Sequence, residues 1–416
     1  VLQNRFEDTK MISDEYEQHL QQVANAMADE AAAKEEADAA SQERARKRAE
    51  EHKARPQSTR SSYRIGPRFI INESAGEDSD VSTFVRQPAP GRVGTGLEIY
   101  SLRFSPEGDL IAAAFADGVV KVYASLTGKE KAAPIHTGGP EHLPCMQVRW
   151  RPHLATSSKT RNVVVTVNAQ GKIQQWHAAS SKLLSEVWSP EEQFYCMDYT
   201  KDATTFAAAG KLKQISVYDE ETRQLKQVMK GGDYTTAVGH SLRVFALKFH
   251  PQDSNVIVTG GWDQTVQLWD CRLSRAVRSI HGPDIQGDAV DISEDGKTIL
   301  TGSHRSKEAL ELWDVGSLKR TDLIEWMKPD GTPADEGCPL YSAQFSKDPQ
   351  SRLIAAGGGS GGMPGEAQFF DRTCFNVAFG LITGMAKGCF TVDFSPDNSA
   401  IATAGADSTV RVLQIY

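Results

Sequence analysis

Gly296-Lys297-Thr298 has the form of the tail of a phosphate-cradling loop, in which backbone amides and a lysine hold a nucleotide. Five residues earlier stands Asp291 instead of glycine, and the triplet lies between two strand-like segments, so it reduces to a hairpin turn. The glycine-rich run Gly357 to Gly365 lacks a following helix whose N-terminal amides would take phosphate. His136, His142 and Cys145 are zinc-ligand types close together in the chain. A tetrahedral site needs a fourth ligand, however, and Pro140 and Pro144 interrupt the spacing. Neither H-E-x-x-H nor G-x-S-x-G occurs, and no paired-arginine lipid-headgroup signature is present. No constellation able to carry catalysis emerges. The expectation is a protein that is not an enzyme, with no cofactor, no metal and no small-molecule substrate.

Lys plus Arg number 46 against 54 Asp plus Glu, a net charge of -8, which argues against a nucleic-acid coat. No run of 18 apolar residues occurs, so no membrane span is expected. The first residues mix Asn, Arg, Glu and Asp and do not form a secretory leader. Cys145, Cys196, Cys271, Cys338, Cys374 and Cys389 form no C-x-x-C pair, which points to a reducing, cytoplasmic compartment.

The elements that would position any binding residues divide the chain near residue 56. Residues 1–55 contain no Gly or Pro and are rich in helix formers, and Pro56 ends the run. Leu2, Phe6, Tyr16, Leu20, Val23 and Met27 fall at alternating three- and four-residue steps, the pattern of a docking or coiled-coil arm. A frayed tail is the other reading of this segment. Its nine Lys/Arg against thirteen Asp/Glu, net -4, disfavour direct contact with an acidic lattice. Residues 56–95 form a linker that includes an apolar segment around Phe69 to Ile71.

From residue 96 to 416 one design recurs seven times: a short strand, a turn, a strand ending in small residues, a polar tight turn, and a strand closing on an aromatic. SLRFSPEGDLIAAAFADGVVKVY, ending at Tyr123, is the first copy, and FALKFHPQDSNVIVTGGWDQTVQLWD, ending at Trp269-Asp270, is the fourth. The other copies close at Trp176, Tyr218, Trp313, Phe370 and Leu413. The repeat resembles the WD40 family. The fold class so implied is all-β: a single seven-bladed β-propeller, preceded by a long N-terminal α-helix. The seventh copy needs a fourth strand from upstream, and Phe69 to Ile71 or Ser82 to Val85 could supply it.

The resemblance also implies a hydrogen-bonded chain within a blade. His240, Thr259, Asp263 and Trp269 match it in the fourth copy, and His281, Thr301 and Trp313 match it in part in the fifth, with Arg305 near the Asp position. These are triad-like residue types, but a structural network is the expected role. One register of the first strands reads Tyr100, Met146, Tyr195, Phe245, Asp288, Tyr341 and Phe390, five aromatics of seven against 8% overall. By similarity this register rims the channel on the docking face, where the rings either bind a partner or plug the hole. Trp262, beside Asp263, is either a binding anchor or a packed neighbour.

The expected function is a scaffold subunit of a cytoskeletal assembly, by architectural analogy a ciliary axoneme with tubulin- or dynein-associated partners. The alternative is an adaptor for ubiquitin-ligase, autophagy or vesicle-trafficking machinery.

Overall fold

A strand that is apolar on both sides must be covered on both sides, and the second strand of each repeat is of this kind. Leu110–Phe115, Val163–Asn168 and Leu353–Gly358 are buried along their whole length. The computed structural model describes residues 61–72, 97–152, 161–231, 239–273, 275–334, 336–359 and 364–416. The chain divides into units Val1–Arg60 and Ser61–Tyr416. The expected helical arm, with Leu2, Phe6, Tyr16, Leu20, Val23 and Met27, and the segment Ser82 to Val85 lie outside the described residues.

Among the described residues the second unit forms seven four-stranded antiparallel sheets. The first strands are Ile99–Phe104, Cys145–Trp150, Phe194–Tyr199, Val244–Phe249, Val290–Ile292, Leu340–Phe345 and Cys389–Phe394, in blades 1 to 7. Each contacts the first strand of the next blade, and the seventh contacts the first, so together they form a closed inner ring. The result is a seven-bladed β-propeller.

The apolar core lies between blades. Leu102 and Phe104 of blade 1 meet Ala402 and Val412 of blade 7, and Val165 and Val167 of blade 2 meet Phe194 and Met197 of blade 3. Ala112–Ala114 and Ala207–Ala209 are fully buried, because small side chains let neighbouring sheets approach closely. Trp269, Phe370 and Phe394 are fully buried, each worth about 1.5–3 kcal/mol of transfer free energy. Val266 and Gln267 point to opposite faces and both are buried, which explains why alternation in these strands is blurred.

The fourth strand of blade 7 is Ile65–Asn72, antiparallel to Thr409–Ile415. Arg64 and Tyr416 exchange backbone hydrogen bonds at 3.1 and 2.8 Å. Of the two upstream candidates, the segment holding Phe69 to Ile71 occupies this place.

Candidate functional site

In an antiparallel sheet of four strands, the starts of the first and third strands and the ends of the second and fourth share one edge of the disc. Six first strands carry a bulge near this edge, and the residue left out of the ladder is Tyr100, Met146, Tyr195, Phe245, Tyr341 or Phe390. A bulge re-aims its side chain, and here it turns a ring out of the sheet. The rings are half-buried and form two arcs. Tyr100, Phe390, Tyr341 and His304 make one, with successive centroids 5.9, 4.9 and 4.5 Å apart. Tyr195, Phe245 and Trp262 make the other, at 4.9 and 5.0 Å, with the Arg243 guanidinium 5.4 Å above the indole. Met146 and Asp288 separate the arcs. Trp262 is 39% exposed, so it packs on Phe245 and still presents a free face.

Three residues beyond the aromatic register lies a second ring that sequence reasoning missed: Arg103, Arg149, Asp198, Lys248, Asp291, Gln344 and Asp393. Arg103 of blade 1 donates to the Asp288 carboxylate that precedes blade 5, and Arg149 of blade 2 reaches the same oxygen at 2.7 Å. Because the first strands form the inner ring, these bonds cross the central channel. Lys248 pairs with Asp291 at 3.4 Å and Lys347 with Asp393 at 3.0 Å. Burial lowers the Arg149 guanidinium to about 9, and the neighbouring Arg103 pushes the same way, yet it stays charged at neutral pH.

The acids also complete the backbone. The inner strand of each blade is a sheet edge with unpaired N–H groups. Asp393 accepts from the N–H of Phe104 at 2.8 Å, Asp198 from Phe249 at 3.0 Å and Asp291 from Phe345 at 2.8 Å, in each case the next blade. Side-chain oxygens of Ser101, Gln147 and Ser342 stitch three further junctions in the same way, and Thr391 adds a second bond at the junction of blades 7 and 1. The channel is thereby filled with paired charge, and the aromatic arcs lie above it.

Blade 4 brings His240, Thr259, Asp263 and Trp269 together. The Trp269 indole N–H donates to Thr259 Oγ1 at 2.8 Å, His240 Nε2 lies 2.7 Å from the same hydroxyl, and His240 Nδ1 lies 2.9 Å from Asp263 Oδ2. Asp263 also accepts from the Ser241 N–H and the Thr265 hydroxyl. Burial opposes its ionisation, but the bonds from His240 and Thr265 outweigh that and hold its carboxyl below the usual carboxylate range. A carboxyl depressed in the folded state contributes stability above its unfolded value of roughly 3.9, lost as pH falls through the folded value. Asp263→Asn is expected to cost about 1–3 kcal/mol at neutral pH. In melting curves between pH 7 and pH 3, the gap between variant and wild type should narrow on acidification.

In blade 5, Trp313 donates to Thr301 at 3.0 Å, but His281 does not join them. His281 is exposed at the end of the fourth strand of blade 4, Arg275–His281, and lies 3.1 Å from Ser279 Oγ. The guanidinium of Arg305 pairs instead with the buried Glu311 at 2.6 Å. The partial chain expected there is thus reduced to the Trp–Thr bond. Gly296 adopts φ +72 in the hairpin before Thr298–Gly302 and donates to Ser293 O at 2.8 Å. His136 is exposed at the end of blade 1, whereas Cys145 is fully buried in blade 2, where desolvation pushes its thiol to about 12.

The geometry defines a rigid disc whose organised features are a ringed rim and a stitched centre. Residues 91–124, 233–270 and 380–413 match the WD40 family, described as WD domain, G-beta repeat. The chain therefore carries WD40 repeats, arranged as a seven-bladed propeller. It is 28% identical over 322 residues to a guanine nucleotide-binding protein subunit beta of Oryza sativa subsp. japonica, covering 76% of this chain and 80% of that one. A protein of the same description from Arabidopsis thaliana is 24% identical over 329 residues, with coverage of 76% and 80%. Eukaryotic translation initiation factor 3 subunit I of Bombyx mori is 24% identical over 338 residues, covering 76% and 91%.

Proposed function

We propose that the chain is a non-catalytic scaffold subunit that holds a protein partner on the aromatic face of its propeller. The observation that carries this reading is the pair of half-buried aromatic arcs, set by backbone bulges over a channel already filled by ion pairs. Rings held in advance lose little freedom on docking, so their contact area converts efficiently into affinity. Both kinds of relative are named as subunits, which supports membership of a larger assembly.

Within that reading, the assembly is cytoskeletal and cytoplasmic, a ciliary axoneme with tubulin- or dynein-associated subunits as neighbours. The support for this placement is architectural analogy: a segment at residues 1–55 whose composition favours helix precedes one propeller in the sequence. The alternative, an adaptor of ubiquitin-ligase, autophagy or trafficking machinery, shares that architecture. Co-purification separates them, axonemal proteins on one side and ligase or vesicle components on the other.

Trp262→Ala and Tyr341→Ala test the face itself. Each removes a ring at a partly exposed position, so the melting temperature should hold. Each is expected to weaken capture of native partners by about 2 kcal/mol, roughly thirty-fold, in quantitative pull-downs. Undiminished capture by both variants would remove this face from the reading.

A further inference from the structure

Beside the second aromatic arc, on the same edge of the disc, a cavity of about 360 Å³ opens between blades 2 and 3. Its apolar walls are Trp188 at the end of the strand Lys182–Trp188, Phe194 at the start of blade 3, and Leu212 in the turn before Ile215–Asp219. Trp188 is 62% exposed, and its indole N–H is tied to Gln170 O at 3.2 Å, so a broad ring face stands toward solvent in a fixed pose. Lys172 Nζ, paired with Glu186 at 3.3 Å, lies 6.0 Å from that ring's centroid, at the outer limit of a cation–π contact.

The lining carries two acids, Glu191 and Glu192, and no lysine or arginine. Glu192 is only 3% exposed. Its Oε1 accepts from the N–H groups of Gln193 and Leu212, both at 3.0 Å, whereas its buried Oε2 has no hydrogen-bond partner. A buried carboxylate oxygen without a donor is costly, and such a cost is recovered when a ligand brings the donor. Donors on a flat cation would satisfy the oxygen and lie against the indole together, and a guanidinium has both properties.

We propose that this pocket receives the guanidinium of an arginine side chain from the protein partner docked on the same face, stacked on Trp188 and hydrogen-bonded to Glu192. The site extends the docking surface from the blade 3–4 arc to the blade 2–3 junction. It gives that surface a charge preference that the aromatic arcs alone lack. It rests on the reading of this face as the docking side, but its own test is separate.

The full chain labelled with 5-fluorotryptophan is titrated with N-acetyl-arginine methylamide and with its neutral isostere, N-acetyl-citrulline methylamide, and followed by fluorine NMR. Trp188→Phe assigns the Trp188 resonance. The arginine derivative is expected to shift that resonance, and the citrulline derivative to need at least roughly ten-fold higher concentration for the same shift. Glu192→Gln, checked for an unchanged melting temperature, should abolish the difference. Equal shifts by the two wild-type titrants, or no shift by either, would overturn the proposal whether or not the variant folds. If the titration succeeds while Trp262→Ala and Tyr341→Ala leave partner capture intact, the pocket stands and the aromatic docking face falls.

Discussion

Asp288→Ala is expected to destabilise the propeller by about 3–5 kcal/mol, because it strips the shared acceptor from two buried guanidiniums. Arg103 is 5% exposed and Arg149 6%, so neither can reach water without opening the inner ring. Arg103 would keep its bonds to the Val392 carbonyl and the Thr391 hydroxyl, whereas Arg149 would keep the Val148 carbonyl at 3.3 Å and a distant Asp198 at 3.8 Å. Two like charges would then stand in one low-dielectric channel. Asp288→Asn retains an acceptor but not the charge, and should fall between wild type and alanine. Adding Arg103→Met to Asp288→Ala removes one orphaned cation. That double variant should therefore melt above the value obtained by adding the single effects. Wild-type melting of Asp288→Ala would mean that the cluster is screened by water and contributes nothing.

This cluster also marks the limit of what the sequence discloses. Seven copies of one strand pattern, each closing on Tyr123, Trp176, Tyr218, Trp269, Trp313, Phe370 or Leu413, are enough to define blades, because periodicity reports local geometry. The four residues of the blade 4 network were identifiable through the resemblance to WD40 repeats, which assigns each a place relative to its own strands. Asp393 and the Phe104 N–H, by contrast, are 289 positions apart, and Arg103 and Asp288 are 185 apart. Pairs across a ring leave no spacing signal. In a single strand, Arg103 and Asp198 look like the solvent half of an alternating pattern.

One cue to the channel was present. Asp288 occupies the register filled by aromatics in five other blades, and a carboxylate in an apolar register demands a cation. The misplacement of His281 has a similar origin. The fourth strand of blade 4 runs on through His281, so the residue that looked like an opening histidine closes the preceding blade. In blade 5, Arg305 with Glu311 takes over the joining of turn to strand.

Deleting residues 61–72 should have the largest effect of all, loss of the cooperative melting transition of the propeller. Ile65–Asn72 is the fourth strand of blade 7, and it touches both neighbours as well. Phe69, 6% exposed, packs with Ile99 and Phe104 of blade 1, while Tyr63 and Ile65 pack with Phe379 and Ile382 of blade 6. Ser61 Oγ donates to Asp371 of blade 6 at 2.7 Å, and Arg68 donates to Gln414 of blade 7. Removing the segment therefore exposes the edge of Thr409–Ile415 and opens the apolar clusters on both sides of that blade. A closed ring has no end blade to fray independently, so the damage is shared by all seven. Phe69→Ala isolates the apolar part and should cost about 3–5 kcal/mol. Ile70→Ala, at a side chain 41% exposed on the opposite face of the same strand, should change the melting temperature little. A deletion variant that melts as the wild type does would show that the ring holds without its borrowed strand.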